Sequence, residues 1–219
     1  MITQVADDVW QVTGIPRGAI NAYIAGDVLV DTMTRWARRL VMGAARRHRI
    51  SMVALTHCHP DHAGSAAAVC GELGVPLACH EADVAWMEGV RIPFPRFAER
   101  HGQRIWLGPP HPVARPLKEG DRVGDFRVVH APGHTPGHVI YFRDADGVAI
   151  AGDLCSNQNP FTGRVRLADP PANVCTDQAE SRRSIRRLLN LDPSLVCVGH
   201  GPPIRDIDGL DRYAAGLGV

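Results

Sequence analysis

No apolar run in this 219-residue chain is longer than a strand, so nothing in it reads as a membrane-spanning helix, which needs about 20 apolar residues. The N-terminus carries Asp7 and Asp8 in place of a basic and then apolar leader, and a cytoplasmic location is the resulting expectation. The six cysteines, at 58, 70, 79, 155, 175 and 197, contain no CxxC pair and are widely spaced. That excludes a disulfide-stapled mini-protein and leaves mostly buried thiols. Net charge is only +1, so the chain has no whole-protein field to draw in nucleic acid. Two arginine-rich stretches, 35–49 and 181–189, lack aromatic residues on their arginine faces. They read as amphipathic helices with solvated arginines, the first with Trp36, Leu40, Ala44 and His48 at four-residue spacing, and not as RNA-binding surfaces. No linker or short repeat divides the chain, which predicts a single domain over 1–219 able to bury about 70 per cent of its unfolded surface.

The order of elements points to an α/β architecture. Strands are predicted at 8–13, 20–25, 28–31, 52–56, 76–79, 126–130, 138–143, 148–151 and 195–198. Helices are predicted at 34–48, 62–74, 81–88, 93–104 and 177–191. The close spacing of the early strands, with Gly26-Asp27 as a tight connection, favours hairpins, whereas the later strands alternate with helices. That mixture suits two mixed sheets packed face to face with helices outside.

Chemistry concentrates in Thr56-His57-Cys58-His59-Pro60-Asp61-His62, directly after the apolar run Met52-Val53-Ala54-Leu55. Three imidazoles and a carboxylate at the end of a strand would each cost roughly 1–3 kcal/mol if buried unpaired, and a metal ion satisfies all of them at once. Neutral imidazole and carboxylate are ligands that zinc, iron and manganese share. Alternation along the segment turns His57 and His59 one way and Cys58 the other. Three further residues complete the set: His134 in Ala131-Pro132-Gly133-His134-Thr135-Pro136-Gly137-His138, Asp153 after Val148-Ala149-Ile150-Ala151-Gly152, and His200 after Leu195-Val196-Cys197-Val198-Gly199. Each lies at or just past a predicted strand end, and each is preceded by glycine.

This pattern, HxHxDH followed by a lone His, a lone Asp and a last His, resembles that of the metallo-β-lactamase superfamily at all seven positions. The resemblance implies an αββα four-layer sandwich whose ligand loops gather along one edge. It assigns His57, His59 and His134 to one divalent metal and Asp61, His62 and His200 to a second, with Asp153 bridging. Zinc is the first expectation, with iron or manganese as alternatives. A water bridging two such cations would lose its proton near neutral pH, and Asp61 is the candidate to orient it and take up that proton. The strings THCHPDHAG, PGHTPGH, GDL and GHGPP look most like the glyoxalase II and small-molecule hydrolase branches, whose members cleave thioesters or lactones. Only 19 residues follow His200, too few for the helical C-terminal domain that holds glutathione in glyoxalase II. The competing readings are a single-iron persulfide dioxygenase of the same fold, a β-lactamase, and a binding module without activity.

Other residues are candidates of a different kind. His138 is expected to hold the His134 loop. Residues 86–112 form a Pro-rich, aromatic insertion whose Phe94, Phe97 and Trp106 would cover an apolar acyl or lactone group, with packing against a second subunit in a homodimer as the alternative. The loop from Ser156 to Cys175 offers Arg164 to an anionic substrate group. The partner expected is a small-molecule substrate, with no nucleic acid and no membrane.

Overall fold

The computed structural model describes residues 1–14, 18–90, 108–159 and 162–219. The first seven strands are β1 (Ile2–Ala6), β2 (Val9–Thr13), β3 (Asn21–Ala25), β4 (Val28–Val30), β5 (Met52–Ala54), β6 (Leu77–His80) and β7 (Arg115–Leu117), and they form one sheet in that order. It is antiparallel from β1 to β4 and parallel from β4 to β7. The second sheet has the order β12-β11-β10-β9-β8, built from β8 (Arg122–Val123), β9 (Phe126–His130), β10 (Val139–Arg143), β11 (Val148–Gly152) and β12 (Leu195–Val198). There β11 and β12 run parallel and the other pairs antiparallel. The helices are α1 (Arg38–Ala45), α2 (Pro60–Ala63), α3 (Ala66–Leu73), α4 (Val84–Met87), α5 (Gln178–Leu189) and α6 (Ile207–Gly216).

Three apolar layers account for this arrangement. Tyr23, Val30, Ala54 and Leu117 of the first sheet meet Val128, Val139, Tyr141, Ile150 and Cys197 of the second. The outer face of the first sheet, with Leu29, Val53 and Leu77, packs on Val41 and Met42 of α1 and Val69 of α3. The outer face of the second, with Ile140, Ala149 and Val196, packs on Ile185 and Leu188 of α5 and Leu210 and Ala214 of α6. The result is the αββα sandwich that the resemblance implied. Covered on both faces, β10, β11 and β12 are buried at every position, which is why β11 and β12 read as continuous apolar runs without alternation.

The longest of the described helices, α5, follows its sequence closely. Asp177 caps α5 by accepting the Glu180 amide at 3.0 Å, and Ser181, Ser184, Ile185 and Leu188 are buried at helical spacing. Its arginines are partnered, Arg182 with Asp169 and Arg183 and Arg187 with Glu180. The predicted helix 34–48 differs. It opens with a 3-10 turn at Arg35–Ala37 and becomes α-helical only at Arg38, so its buried stripe is Val41, Met42, Ala44 and Ala45, and Trp36 is 57% exposed. The tighter turn rotates each residue further than an α-helix does, which puts Trp36 out of phase with the stripe. Helix 62–74 is also divided, at Gly64-Ser65, where a β-carbon on Gly64 would lie 2.8 Å from the Thr34 backbone. Strands β1, β7 and β8 and helix α6 were not anticipated. β1 and β7 are short, partly exposed edge strands, and β7 carries Pro116, so neither shows a clean alternation. Most of the proposed 86–112 insertion, including the 93–104 helix, lies outside the described residues.

Candidate metal centre

The ligand-bearing loops leave the sandwich at the ends of β5, β9, β11 and β12, and hydrogen bonds between the two sheets lock that edge. Tyr23 of the first sheet donates to the Val198 carbonyl of the second at 2.8 Å, and Tyr141 of the second donates to the Leu55 carbonyl of the first at 2.7 Å. Asn21 adds Nδ2 bonds to the carbonyls of Val198 at 2.9 Å and Gly201 at 2.7 Å. The Val139 amide donates to the Thr56 carbonyl at 2.9 Å. Residues far apart in sequence therefore meet on a fixed frame.

Two clusters of potential ligand atoms result, His57 with His59 and His134, and Asp61 with His62, Asp153 and His200, the atoms of each lying within 4.8 Å of one another. Asp153 reaches across both. Its Oδ1 is 3.2 Å from His62 Nε2, and its Oδ2 is 3.0 Å from His200 Nε2 and 3.5 Å from His134 Nε2. His200 Nε2 is also 3.5 Å from Asp61 Oδ2. The rings of His57 and His59 stand edge-on at 4.5 Å, and those of His59 and His134 at 4.4 Å. Gly199 allows this density, since a β-carbon there would overlap Asp153 Oδ1 and lie 2.6 Å from His62 Cε1. Gly152 does the same at φ +49, where a β-carbon would meet His138 Nε2 and Thr56 Oγ1 at 2.7 Å.

The outer nitrogens of His57, His62, His134 and His200 are tied down, which aims their Nε2 atoms inward. Thr56 Oγ1 spends its proton on Asp31 Oδ2 at 2.8 Å, so it can only accept from His57 Nδ1, 3.1 Å away. His62 Nδ1 donates to Asp31 Oδ2 at 2.8 Å, and His200 Nδ1 donates to the Ala19 carbonyl. His134 Nδ1 lies 3.5 Å from Cys175 Sγ, whose own proton points toward the Pro170 carbonyl. Inside the site, the buried Nε2 atoms of His57, His62 and His134 and the Oδ1 of Asp153 have no hydrogen bond. Groups that cost so much to bury unbonded, with lone pairs converging from imidazole and carboxylate, fit a divalent cation.

Electrostatics separates the clusters. Burial, reinforced by neighbouring imidazoles, holds His57 and His59 well below the ordinary histidine range, and burial takes His134 down to about 4, so all three are neutral donors. For His62 and His200 burial is outweighed by Asp153, joined by Asp31 and Asp61 respectively. His62 rises well above its usual value, and His200 rises to about 9. Asp153 is held well below the carboxylate range, because His200 and His62 overcome the effect of its burial. The second cluster thus favours positive charge, and it is also the open one: the side chains of Asp61 and His200 are 34% and 26% exposed, against 2% for His134.

The remaining candidates are placed as follows. His138 is fully buried, and its Nε2 accepts the Asp153 amide at 3.0 Å, so it supports the backbone of that residue. Arg164 is exposed in the loop after Asp153, where its carbonyl accepts the Asn159 amide at 2.9 Å, and it belongs to neither cluster. Phe94, Phe97 and Trp106 lie outside the described residues. Cys58 is buried in the core under the first sheet, as the alternation implies. The thiol beside the site is Cys175, which no local pattern marks. Asp31 carries a comparable local signal, since it ends the apolar run Val28-Leu29-Val30 much as Asp153 ends its own.

The model of the metallo-beta-lactamase superfamily matches residues 15–200. The "Probable metallo-hydrolase YflN" of Bacillus subtilis is 26% identical over 200 residues, covering 81% of this chain and 76% of its own. A hydroxyacylglutathione hydrolase of Acidiphilium cryptum is 32% identical over 153 residues, which are 69% of this chain and only 51% of that one. A protein crystallised in a di-iron-bound form is 32% identical, with a TM-score of 0.67 over 93% of this chain and 97% of its own.

Proposed function

The chain belongs to the metallo-β-lactamase superfamily, and on that premise we propose that it is a dinuclear metal-dependent hydrolase of a small thioester, ester or lactone. The observation that carries this reading is the Asp153 carboxylate, set between a neutral three-histidine cluster and a second cluster of Asp61, His62 and His200, with an oxygen within 3.5 Å of an imidazole of each. His57, His59 and His134 would hold one cation and Asp61, His62 and His200 the other, with Asp153 shared. Two divalent cations supply a water molecule made acidic near neutral pH and Lewis-acid polarisation of a carbonyl. Zinc suits this donor set, and so do iron and manganese; the di-iron form of the 32% identical neighbour favours testing iron alongside zinc.

The protein's own residues then have separable tasks. Asp61, partly exposed and 3.5 Å from His200, would orient the attacking water and accept its proton. Asp31 and Thr56 fix the tautomers of His62 and His57. His138 holds the Asp153 backbone. Because the first cluster is sealed and the second is open, substrate approaches on the Asp61 and His200 side. Inclusion of thioesters among the substrates is supported by the hydroxyacylglutathione hydrolase relative, of which the matched region spans about half.

Elemental analysis of protein purified without added metal, together with a panel of thioesters, esters and lactones, tests the proposal. About two metals per chain and metal-dependent hydrolysis are expected. One tightly bound iron with oxygen consumption on a persulfide would overturn it.

A further inference from the structure

The three-histidine cluster is assembled from two loops, one carrying His57 and His59 and the other His134. The side chain that joins them belongs to neither. Asp83 ends the 3-10 turn Glu81–Asp83 after β6, and it is fully buried. Its Oδ2 accepts the Cys58 amide at 3.2 Å and the Thr135 hydroxyl at 2.8 Å, and its Oδ1 accepts the Gly137 amide at 2.7 Å. Cys58 sits between His57 and His59, and Thr135 follows His134. One carboxylate thus grips the backbone of the first loop at its centre and holds the second loop at two points.

The ordinary explanation for an aspartate here fails. Asp83 occupies the N-cap position of α4, where a carboxylate normally accepts amide protons of its own helix, yet its side chain makes no capping bond. It is spent on the two loops. Gly137 shows how closely the second loop is fitted: a β-carbon there would lie 2.6 Å from Asp83 Cγ and 2.8 Å from the Asp83 backbone nitrogen. Burial pushes the carboxyl up to about 6, against the hydrogen bonds from Thr135, Gly137 and Cys58 that favour its ionised form. A buried carboxylate is a poor way to gain stability where an apolar side chain would fit, but a short, two-oxygen acceptor is a good way to fix the separation of two backbones.

We propose that Asp83 is a positioning residue that sets the distance between the His57–His59 loop and the His134 loop, and so preorganises the three-histidine cluster for its metal. The proposal rests on the metal-centre reading above. It predicts an effect confined to one of the two metals.

The test is an equilibrium titration of metal-stripped protein with Zn²⁺ against a chromophoric chelator, repeated with Co²⁺ to follow the ligand-field spectrum. Asp83→Asn keeps the shape but turns an amide NH₂ toward donors. It should weaken the first site by roughly 10–100-fold, the range usual for groups that orient ligands, and leave the second within about threefold. Thr135→Val removes one of the three bonds and should weaken the same site by a few fold, which keeps the proposal testable should Asp83→Asn fold poorly. His200→Ala, which should deplete the second site, provides a background for reading the first alone. Unchanged first-site affinity in both variants, or equal loss at both sites accompanied by a lower Tm, would overturn the role of Asp83. A wild-type protein that binds no metal would instead sink the metal-centre reading itself.

Discussion

Asp31→Asn is the sharpest probe of how this centre is held. Asp31 is buried, and its two oxygens accept three bonds at 2.8 Å, from the Thr56 amide, the Thr56 hydroxyl and His62 Nδ1. An asparagine can keep its oxygen on the Thr56 amide, but then its NH₂ faces His62 Nδ1. The imidazole has two responses. It can keep its proton on Nδ1 and lose the bond, at about 1–3 kcal/mol for the unsatisfied groups, or it can move the proton to Nε2 and accept from the amide. The second response puts a proton where the second metal would bind. Either way the second site should weaken by roughly 10–100-fold, which is about 1.4–2.7 kcal/mol. Thermal unfolding of metal-stripped protein should fall by about 2–4 °C per kcal/mol lost for a chain of this size. Thr56→Val is the companion, since it removes the acceptor of His57 Nδ1 and leaves His62 on Asp31, so its loss should fall on the first site. Chelator-competition titration of both variants reads the two affinities. Wild-type affinity at the second site in Asp31→Asn would refute the tautomer argument.

Three further outcomes follow from the same geometry. Asp61→Asn should keep much of its metal, since the amide still offers an oxygen beside His62, His200 and Asp153, and lose about 10²-fold or more in kcat, as removal of a general base does; full metal with near-normal turnover would exclude that role. Gly199→Ala forces a methyl group into Asp153 and His62 and should cost about 1–3 kcal/mol together with metal, so a Tm and metal content equal to wild type would show that the site relaxes more freely than its packing implies. His80, stacked on His130 at 4.0 Å, is pushed down to about 4 by burial and by that neighbour. Its folded pKa is depressed, so its contribution to stability is fully present above about pH 6.5 and is lost as the pH falls toward 4. Asp83, raised to about 6, acts in the opposite direction, so the difference between proteins is the quantity to read. His80→Asn, which keeps an acceptor for the Ala82 amide, should make the acid limb of a Tm-against-pH curve shallower, and an unchanged curve would count against the assignment.

Much of the fold was legible because its signals are local. The apolar runs of β11 and β12 mark strands covered on both faces, and the spacing of Ser181, Ser184, Ile185 and Leu188 marks a helix with one buried side. Local signals are weak elsewhere: β7 and β8 are strands of three and two residues, and the 3-10 start of the first helix carries Trp36 away from the stripe that four-residue spacing assigns it. The seven positions His57, His59, Asp61, His62, His134, Asp153 and His200 were visible one by one, since each follows an apolar run or sits in a dense polar turn.

The sequence by itself determined which donor types lie at strand ends, through strand alternation and the glycines before His134, Asp153 and His200; that they gather along one edge is what the family resemblance implied. What only the tertiary structure decided is how those donors are aimed. The partner of His62 Nδ1 lies 31 residues away, the thiol beside His134 Nδ1 lies 41 away, and the carbonyl that accepts from His200 Nδ1 lies 181 away. Asp83 joins loops 25 residues before it and 52 after it. No periodicity in a chain encodes such distances. They follow from the packing of two sheets on a shared core, which brings remote acceptors to the outer nitrogens of the imidazoles and leaves the inner ones facing each other.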